Sequence, residues 1–198
     1  IPAELTICED PNTPNDGFAQ FNLTTLDEQI LDGQDPINFT VTYYETIEDA
    51  EDSVNALPIN FENTSNPQII FARVDNDTTV DSQCYDIAEA ALLVNLLPEF
   101  TLEESYLGCI NVNGTQILEE VIMDIGLSPD DYSFEWIDPA GNMVATTVTH
   151  TPQMEGIYTA IATNILTGCS REITTEVTAS SPAVVNPIVT TEFFAEEA

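Results

Sequence analysis

"PQIIFARVDNDTTVDSQCYDIAEAALLV" (residues 67–94) and "EGIYTAIATNILTGCSREITTEVTAS" (residues 155–180) are the stretches whose reading decides the fold. Each is an alternating strand, a turn, a cysteine and a second strand. Asn76 and Asn164 stand at matching hairpin corners, and the first copy carries three more residues before its cysteine. Each half also holds a central aromatic strand. Phe39, Val41 and Tyr43 share one face of the first, with Tyr44 expected to point outward. Tyr132, Phe134 and Trp136 share one face of the second. A plan used twice in one chain predicts two tandem units.

Working outward, short strands alternate with turns such as "NDG", "NVNG" and "DPAGN". This spacing predicts an all-β protein of two tandem β-sandwich domains. The expected boundaries are residues 1–97, 98–183, and 184–198 as a linker entering a following module, with Pro98 in "NLLPEF" marking the joint. One or two short helices belong to the first unit. "TLDEQILDG" offers Thr25 as N-cap and Gly33 past the end. "TIEDAEDSVNAL" offers Thr46 as N-cap, with acids in the first turn where the helix dipole favours them.

Each unit has one early and one late cysteine: Cys8 and Cys84, then Cys109 and Cys169. The simplest of three possible connectivities pairs them within units, Cys8 with Cys84 and Cys109 with Cys169. Those loops, 76 and 60 residues by numbering, would each be worth roughly 4 kcal/mol in the chain-entropy model. Trp136 lies 27 residues after Cys109, unlike the antibody pattern, so the bridge is expected to tie a first strand to a late hairpin. Two disulfides imply an extracellular setting.

Composition bounds the partners. There are 35 acids, two arginines and no lysine, a formal charge of −33. A chain without basic side chains cannot hold phosphates, so nucleic acid is not an expected partner. No apolar run reaches the ~18 residues of a membrane span, and no membrane insertion is expected. "IPAELTIC" lacks the basic start of a secretory signal, so the chain reads as a piece of something longer. The charge fits an acidic surface, or one partly offset by divalent cations.

The segment "CEDPNTPNDGF" (8–18) makes that question specific. Asp10, Asn12, Asn15 and Asp16 carry oxygens of the kind calcium takes, so calcium is the one cofactor raised. The spacing has one residue too many and no closing Glu. The other reading is a turn whose Asn and Asp side chains cap their own backbone. The acid clusters "EDAED" (48–52), "VDND" (74–77) and "SPDDY" (128–132) read as solvated faces. His150, the one histidine, sits on an expected exposed strand without a partner for catalysis. No P-loop or dinucleotide motif occurs, and the chain is not expected to be an enzyme. Tyr44 is the one aromatic expected to be free for a sugar. Sequons begin at Asn22, Asn38, Asn63, Asn76 and Asn113.

Taken together, "LTICEDPNTPNDGFAQFNLTTLDEQIL" (5–31), "FTVTYYETIEDAEDSVNALP" (39–58) and the 67–94 stretch resemble a repeat of very long surface proteins of gliding and marine Bacteroidetes. "GLSPDDYSFEWIDPAGN" (126–142) with the 155–180 stretch resembles the Ig-like or PKD-like repeat that follows it. The resemblance implies export by the type IX pathway to the cell surface, upstream of a carboxy-terminal sorting domain. It implies work as an adhesin, gliding-motility or biofilm stalk segment. Expected partners are neighbouring repeats of the same chain, with surface polysaccharide or other surface proteins as targets. Alternative roles are a glycan-binding module or accessory domains of a secreted hydrolase. It also implies O-glycans at Ser53 in Asp52-Ser53-Val54 and at Thr78 in Asp77-Thr78-Thr79.

Overall fold

The computed structural model describes residues 3–78, 84–109 and 121–180. Alternation does what the sequence suggests. In the first unit β1 (Ala3–Cys8), β2 (Gln20–Asn22), a 3-10 turn (Leu23–Leu26), α1 (Asp27–Leu31), β3 (Phe39–Tyr44), α2 (Ile47–Asp52), β4 (Asn60–Glu62), β5 (Gln68–Asn76) and β6 (Tyr85–Asn95) follow in order. One sheet runs β1-β6-β5-β3 and a second pairs β2 with β4. Phe21, Leu23 and Leu26 pack with Tyr43, Phe61, Ile70, Ala72, Ala90, Leu92 and Val94 as one core. Ala90, Leu92 and Val94 are buried at every second position of β6, as period two requires.

The second unit contains β7 (Ser105–Cys109), β8 (Met123–Asp124), β9 (Tyr132–Ile137), β10 (Met143–Ala145), β11 (Thr149–His150), β12 (Gly156–Asn164) and β13 (Ser170–Ser180). Its main sheet runs β10-β9-β12-β13-β7, and β11 pairs with β8. Phe134 and Trp136 of β9 are buried with Met123, Ile125, Tyr158, Ala160, Ala162 and Val177, and Tyr132 is partly buried against them. The protein is therefore all-β, with two sandwich-like sheet groups and short helices in the first.

By contacts, unit one is Ile1–Glu99 plus Thr163–Arg171, and unit two is Phe100–Ala162 plus Glu172–Ala198. The division falls two residues beyond the expected 97/98. The corner of the β12–β13 hairpin is grouped with the first unit, where the sequence reading put it wholly in the second. The expected linker at 184–198 lies outside the described residues, as does Asn113.

The local expectations meet mixed outcomes. Thr46 caps α2, its side chain accepting from the Asp49 N–H at 3.1 Å. The first helical segment starts earlier than expected. Asn22, not Thr25, is the cap of the 3-10 turn, accepting from Thr24 N–H at 3.2 Å, and α1 continues from it. An Asn caps at least as well as a Thr, and it stands at the end of β2 where the chain must turn. Tyr44, expected outside, is only 2 % exposed. The reason is α2: both its neighbours Tyr43 and Tyr44 are covered, one by the core and the other on the α2 side, where Tyr44 Oη lies 3.2 Å from Ser53 Oγ. A sheet coated on both faces loses the polar half of its alternation.

The two units repeat one frame. The first strand runs parallel to the last: β1 to β6, with Cys8 opposite Asn95, and β7 to β13, with Cys109 opposite Ser180. Strands β5 and β12 have nine residues each. Strands β6 and β13 have eleven each. Both corners close with the same bond, Asn76 N–H to Cys84 C=O at 3.0 Å and Asn164 N–H to Cys169 C=O at 2.9 Å.

Candidate functional site

That frame explains the cysteines. Within a unit, the parallel pairing carries the first-strand cysteine to the C-terminal end of the last strand. The hairpin cysteine sits at that strand's N-terminal end. In unit one the eleven residues of β6 separate them, about 36 Å at ~3.3 Å per residue. In unit two β13 does the same. A disulfide needs Cα atoms within about 7 Å. Neither Cys8–Cys84 nor Cys109–Cys169 can form.

The observed bridge is Cys8–Cys169, with Cα atoms 5.5 Å apart and 161 residues between its ends in sequence. The expected Cys8–Cys84 and Cys109–Cys169 pairing is thus corrected: β1 is tied to the corner of the β12–β13 hairpin, the segment that the contacts group with the first unit. Cys169 is fully buried. Its corner is built by Asn164, whose Oδ1 accepts from Leu166 and Thr167 N–H at 2.9 and 3.1 Å. Gly168, at φ 73°, takes the left-handed turn that L side chains avoid. Cys84 and Cys109 are exposed and stand outside this bridge.

On the Cys8 side the 8–18 loop is organised by Glu9, a residue the sequence alone does not single out. Glu9 is 3 % exposed. Its N–H extends the ladder to Asn95 C=O at 3.0 Å. Its carboxylate accepts from Asn15 N–H at 2.5 Å and Gly17 N–H at 2.6 Å, curling the loop beside the bridge. Asp10 Oδ1 accepts from Asn12 N–H at 2.8 Å and its amide at 2.7 Å. Asp16 Oδ1 accepts from Phe18 N–H at 2.9 Å. Asn63 clips the loop's end, accepting from Ala19 N–H at 2.7 Å and donating to Gly17 C=O at 2.9 Å. Asn15, at φ 66°, uses its backbone rather than its side chain here. The Asp10 and Asp16 bonds are those of a turn whose side chains cap their own backbone. Among the described residues, no group of three or more His, Cys, Asp or Glu is placed to hold a metal ion.

The remaining candidates have local roles. Ser53 caps α2 in a left-handed conformation and faces the Tyr44 hydroxyl. Thr78 donates to Asn76 Oδ1 at 2.6 Å; Thr78 is exposed and Asn76 partly buried, and Thr79 lies outside the described residues. Arg73 is 5 % exposed. It pairs with Asp75 at 2.9 Å, donates to the Ala50 and Glu51 carbonyls at 2.8 and 2.9 Å, and lies 3.6 Å from the centre of the Tyr85 ring. The Asp75 hydrogen bond holds its pKa above the usual value. His150 is not exposed as expected: it is half-buried, 5.7 Å from the rings of both Trp136 and Tyr158. Burial lowers its pKa.

A shallow cleft of about 330 Å³ lies in the first unit, lined by Ile30, Phe39, Val74, Cys84, Tyr85 and Ile87 among others. It gathers no acid–base pair around a nucleophile.

No curated protein is similar enough to the chain to count as a match. Among solved structures, the N-terminal four Ig domains of Dscam1 align at 10 % identity and a TM-score of 0.32, covering 72 % of this chain and 38 % of that one. The titin Ig tandem A164-A165 aligns at 10 % identity and 0.32, covering 91 % and 94 %. Drosophila N-cadherin EC1-4 aligns at 8 % and 0.29, covering 91 % and 48 %. The chain thus spans well under two thirds of the Dscam1 and cadherin structures. Residues 4–98, the first unit and just under half of the chain, match the family model described as "Flavobacterium inter-domain disulphide bond domain".

Proposed function

We propose that the chain is a load-bearing spacer: a structural segment of a long exported surface protein, serving adhesion, gliding or a biofilm stalk. One observation carries this reading. The Cys8–Cys169 bond closes a loop of 161 residues, so tension applied at the two ends bypasses nearly everything between them. The path runs from the N-terminal residues through the sulfur bond to the residues after 169. Unbridged, that loop could pay out about 550 Å of extended chain at ~3.4 Å per residue. A disulfide persists in an oxidising, extracytoplasmic setting, and the Flavobacterium family match supports an extracellular place. The charge of −33 suits a soluble, non-aggregating surface segment. With Tyr44 buried, the glycan-binding alternative loses its aromatic platform.

The test is single-molecule stretching of the chain from both ends. Oxidised, the enclosed segment should release no length, because force reaches it only through the bridge. Reduced, the same molecule should lengthen by several hundred ångströms as the strands peel apart. Equal extension in the two states would remove the mechanical role.

A further inference from the structure

Strand β6 is longer than the strand beside it. β1 pairs with it from Ala3 opposite Ala90 to Cys8 opposite Asn95. The first five of its eleven residues, Tyr85 to Glu89, therefore lie beside β5 on one side and beyond the end of β1 on the other. The bonds at the two ends of β6 fix its pleat. Cys84 C=O accepts from Asn76 N–H on the β5 side, and Val94 gives its N–H and C=O to the side chain of Asn66, which leads into β5. Asn95 C=O accepts from Glu9 N–H on the β1 side. In an antiparallel pair, alternate residues turn both backbone groups away from the partner. Tyr85, Ile87 and Glu89 thus aim N–H and C=O into a notch where β1 stops short.

One bond marks the notch as unfilled by a strand. The Ile87 N–H is held by the carboxylate of its own neighbour, Asp86 Oδ1, at 2.9 Å. That oxygen stands in for the carbonyl of a strand. The outer edge of β1 is treated differently: Glu4 N–H and C=O are both taken up by the Gln29 amide, at 3.3 Å each. A helix side chain covers that edge, as exposed edges are commonly blunted. The cleft of about 330 Å³ opens beside the notch, with Asp86 and Ala88 in its wall and Ile30, Phe39 and Val74 supplied by α1, β3 and β5. Asp86 and Ala88 share the face of β6 that carries the buried Ala90, Leu92 and Val94. A strand laid in the notch would turn every second side chain toward those apolar walls. Three exposed acids, Glu4, Asp86 and Glu89, border the notch, and the chain has no lysine to answer them.

We propose that the notch is a peptide-binding site: an extended segment of a partner protein, alternating apolar and basic side chains, adds to the sheet beside Tyr85–Glu89. Its backbone exchanges hydrogen bonds with Tyr85, Ile87 and Glu89, and Asp86 yields the Ile87 N–H to a carbonyl of the incoming strand. Its apolar side chains enter the cleft, and its basic ones meet Glu89 and Glu4. In strand addition of this kind main-chain bonds supply affinity and alternate pockets supply selectivity. The site goes beyond the spacer role, because it gives the segment something to hold, and it does not depend on the disulfide.

The probe is a blocked peptide of alternating valine and lysine, titrated at low salt into the oxidised 198-residue chain, with amide hydrogen exchange read by NMR. Its control is the same peptide N-methylated at every residue, which keeps side chains and charge and removes the backbone donors. The unmodified peptide should slow exchange at the Ile87 and Glu89 amides. The methylated one should bind about tenfold more weakly, the worth of one or two net hydrogen bonds. Glu89→Lys, a change at an exposed position, should weaken binding of the unmodified peptide severalfold. Equal affinity of the two peptides would reduce the contact to charge alone and overturn the proposal. So would slowed exchange centred on the edge strand β3, or unslowed exchange at Ile87 and Glu89 in millimolar peptide.

Discussion

At the residue scale, the chain's scarce cations and its one histidine occupy positions where a charge change matters. Arg73 satisfies two carbonyls at the end of α2 and one carboxylate while almost fully buried. Truncation to alanine leaves those groups without a donor. Arg73→Ala should cost about 3 kcal/mol in the first unit, read by urea titration. Arg73→Lys should recover only part of it, because an ammonium cannot span both carbonyls and Asp75 as a planar fork does. A loss under about 0.5 kcal/mol would mean that α2 does not depend on this clamp. His150 has a clear sign. Burial between Trp136 and Tyr158 lowers its folded-state pKa below the ordinary 6.5. The unfolded chain therefore binds the proton more readily. The second unit should lose stability as pH falls below about 6.5, and His150→Phe should flatten that slope while leaving stability at pH 8 nearly unchanged. The same slope in wild type and variant would place the titrating group elsewhere.

At the element scale, the hairpins, the strands and their buried faces were legible because period-two alternation is a local signal. Asn76 and Asn164 marked their corners correctly, and Thr46 its helix. Strand direction was not legible. Alternation says which face a residue takes, and nothing about whether β1 runs with β6 or against it. That single unknown decides the disulfides, since an antiparallel first strand would have brought Cys8 toward Cys84. Glu9 was missed for a related reason. A glutamate in an acid-rich loop looks solvated until the ladder bond to Asn95 turns its side chain inward. Tyr44 failed because α2 lies over the sheet's second face, a tertiary fact. The bridge's energy belongs to this scale too. Closing 161 residues is worth about 5 kcal/mol in the chain-entropy model. Replacing Cys8 and Cys169 together by serine should lower the unfolding free energy, summed over both units, by up to that amount in a guanidinium titration. An unchanged sum would show that the loop constrains nothing in the unfolded chain.

At the scale of the whole molecule, the sequence reading has the fold class, all-β with two sheet groups, and the wrong disulfide pairing. Staples inside each unit would make independent beads, each stabilised alone. A tie from β1 to the corner of the β12–β13 hairpin makes covalent continuity a property of the whole 161-residue span. Stretching separates the two pictures only by amount: the observed bridge shields one loop of 161 residues, where bridges within units would shield loops of 76 and 60. The connectivity itself can be read more directly still. The chain can be unfolded under acid to prevent exchange, cut at acidic residues without reduction, and its linked peptides identified by mass. The peptide holding Cys8 should be found joined to the one holding Cys169; Cys8 joined to Cys84, with Cys109 joined to Cys169, would contradict the account at its root.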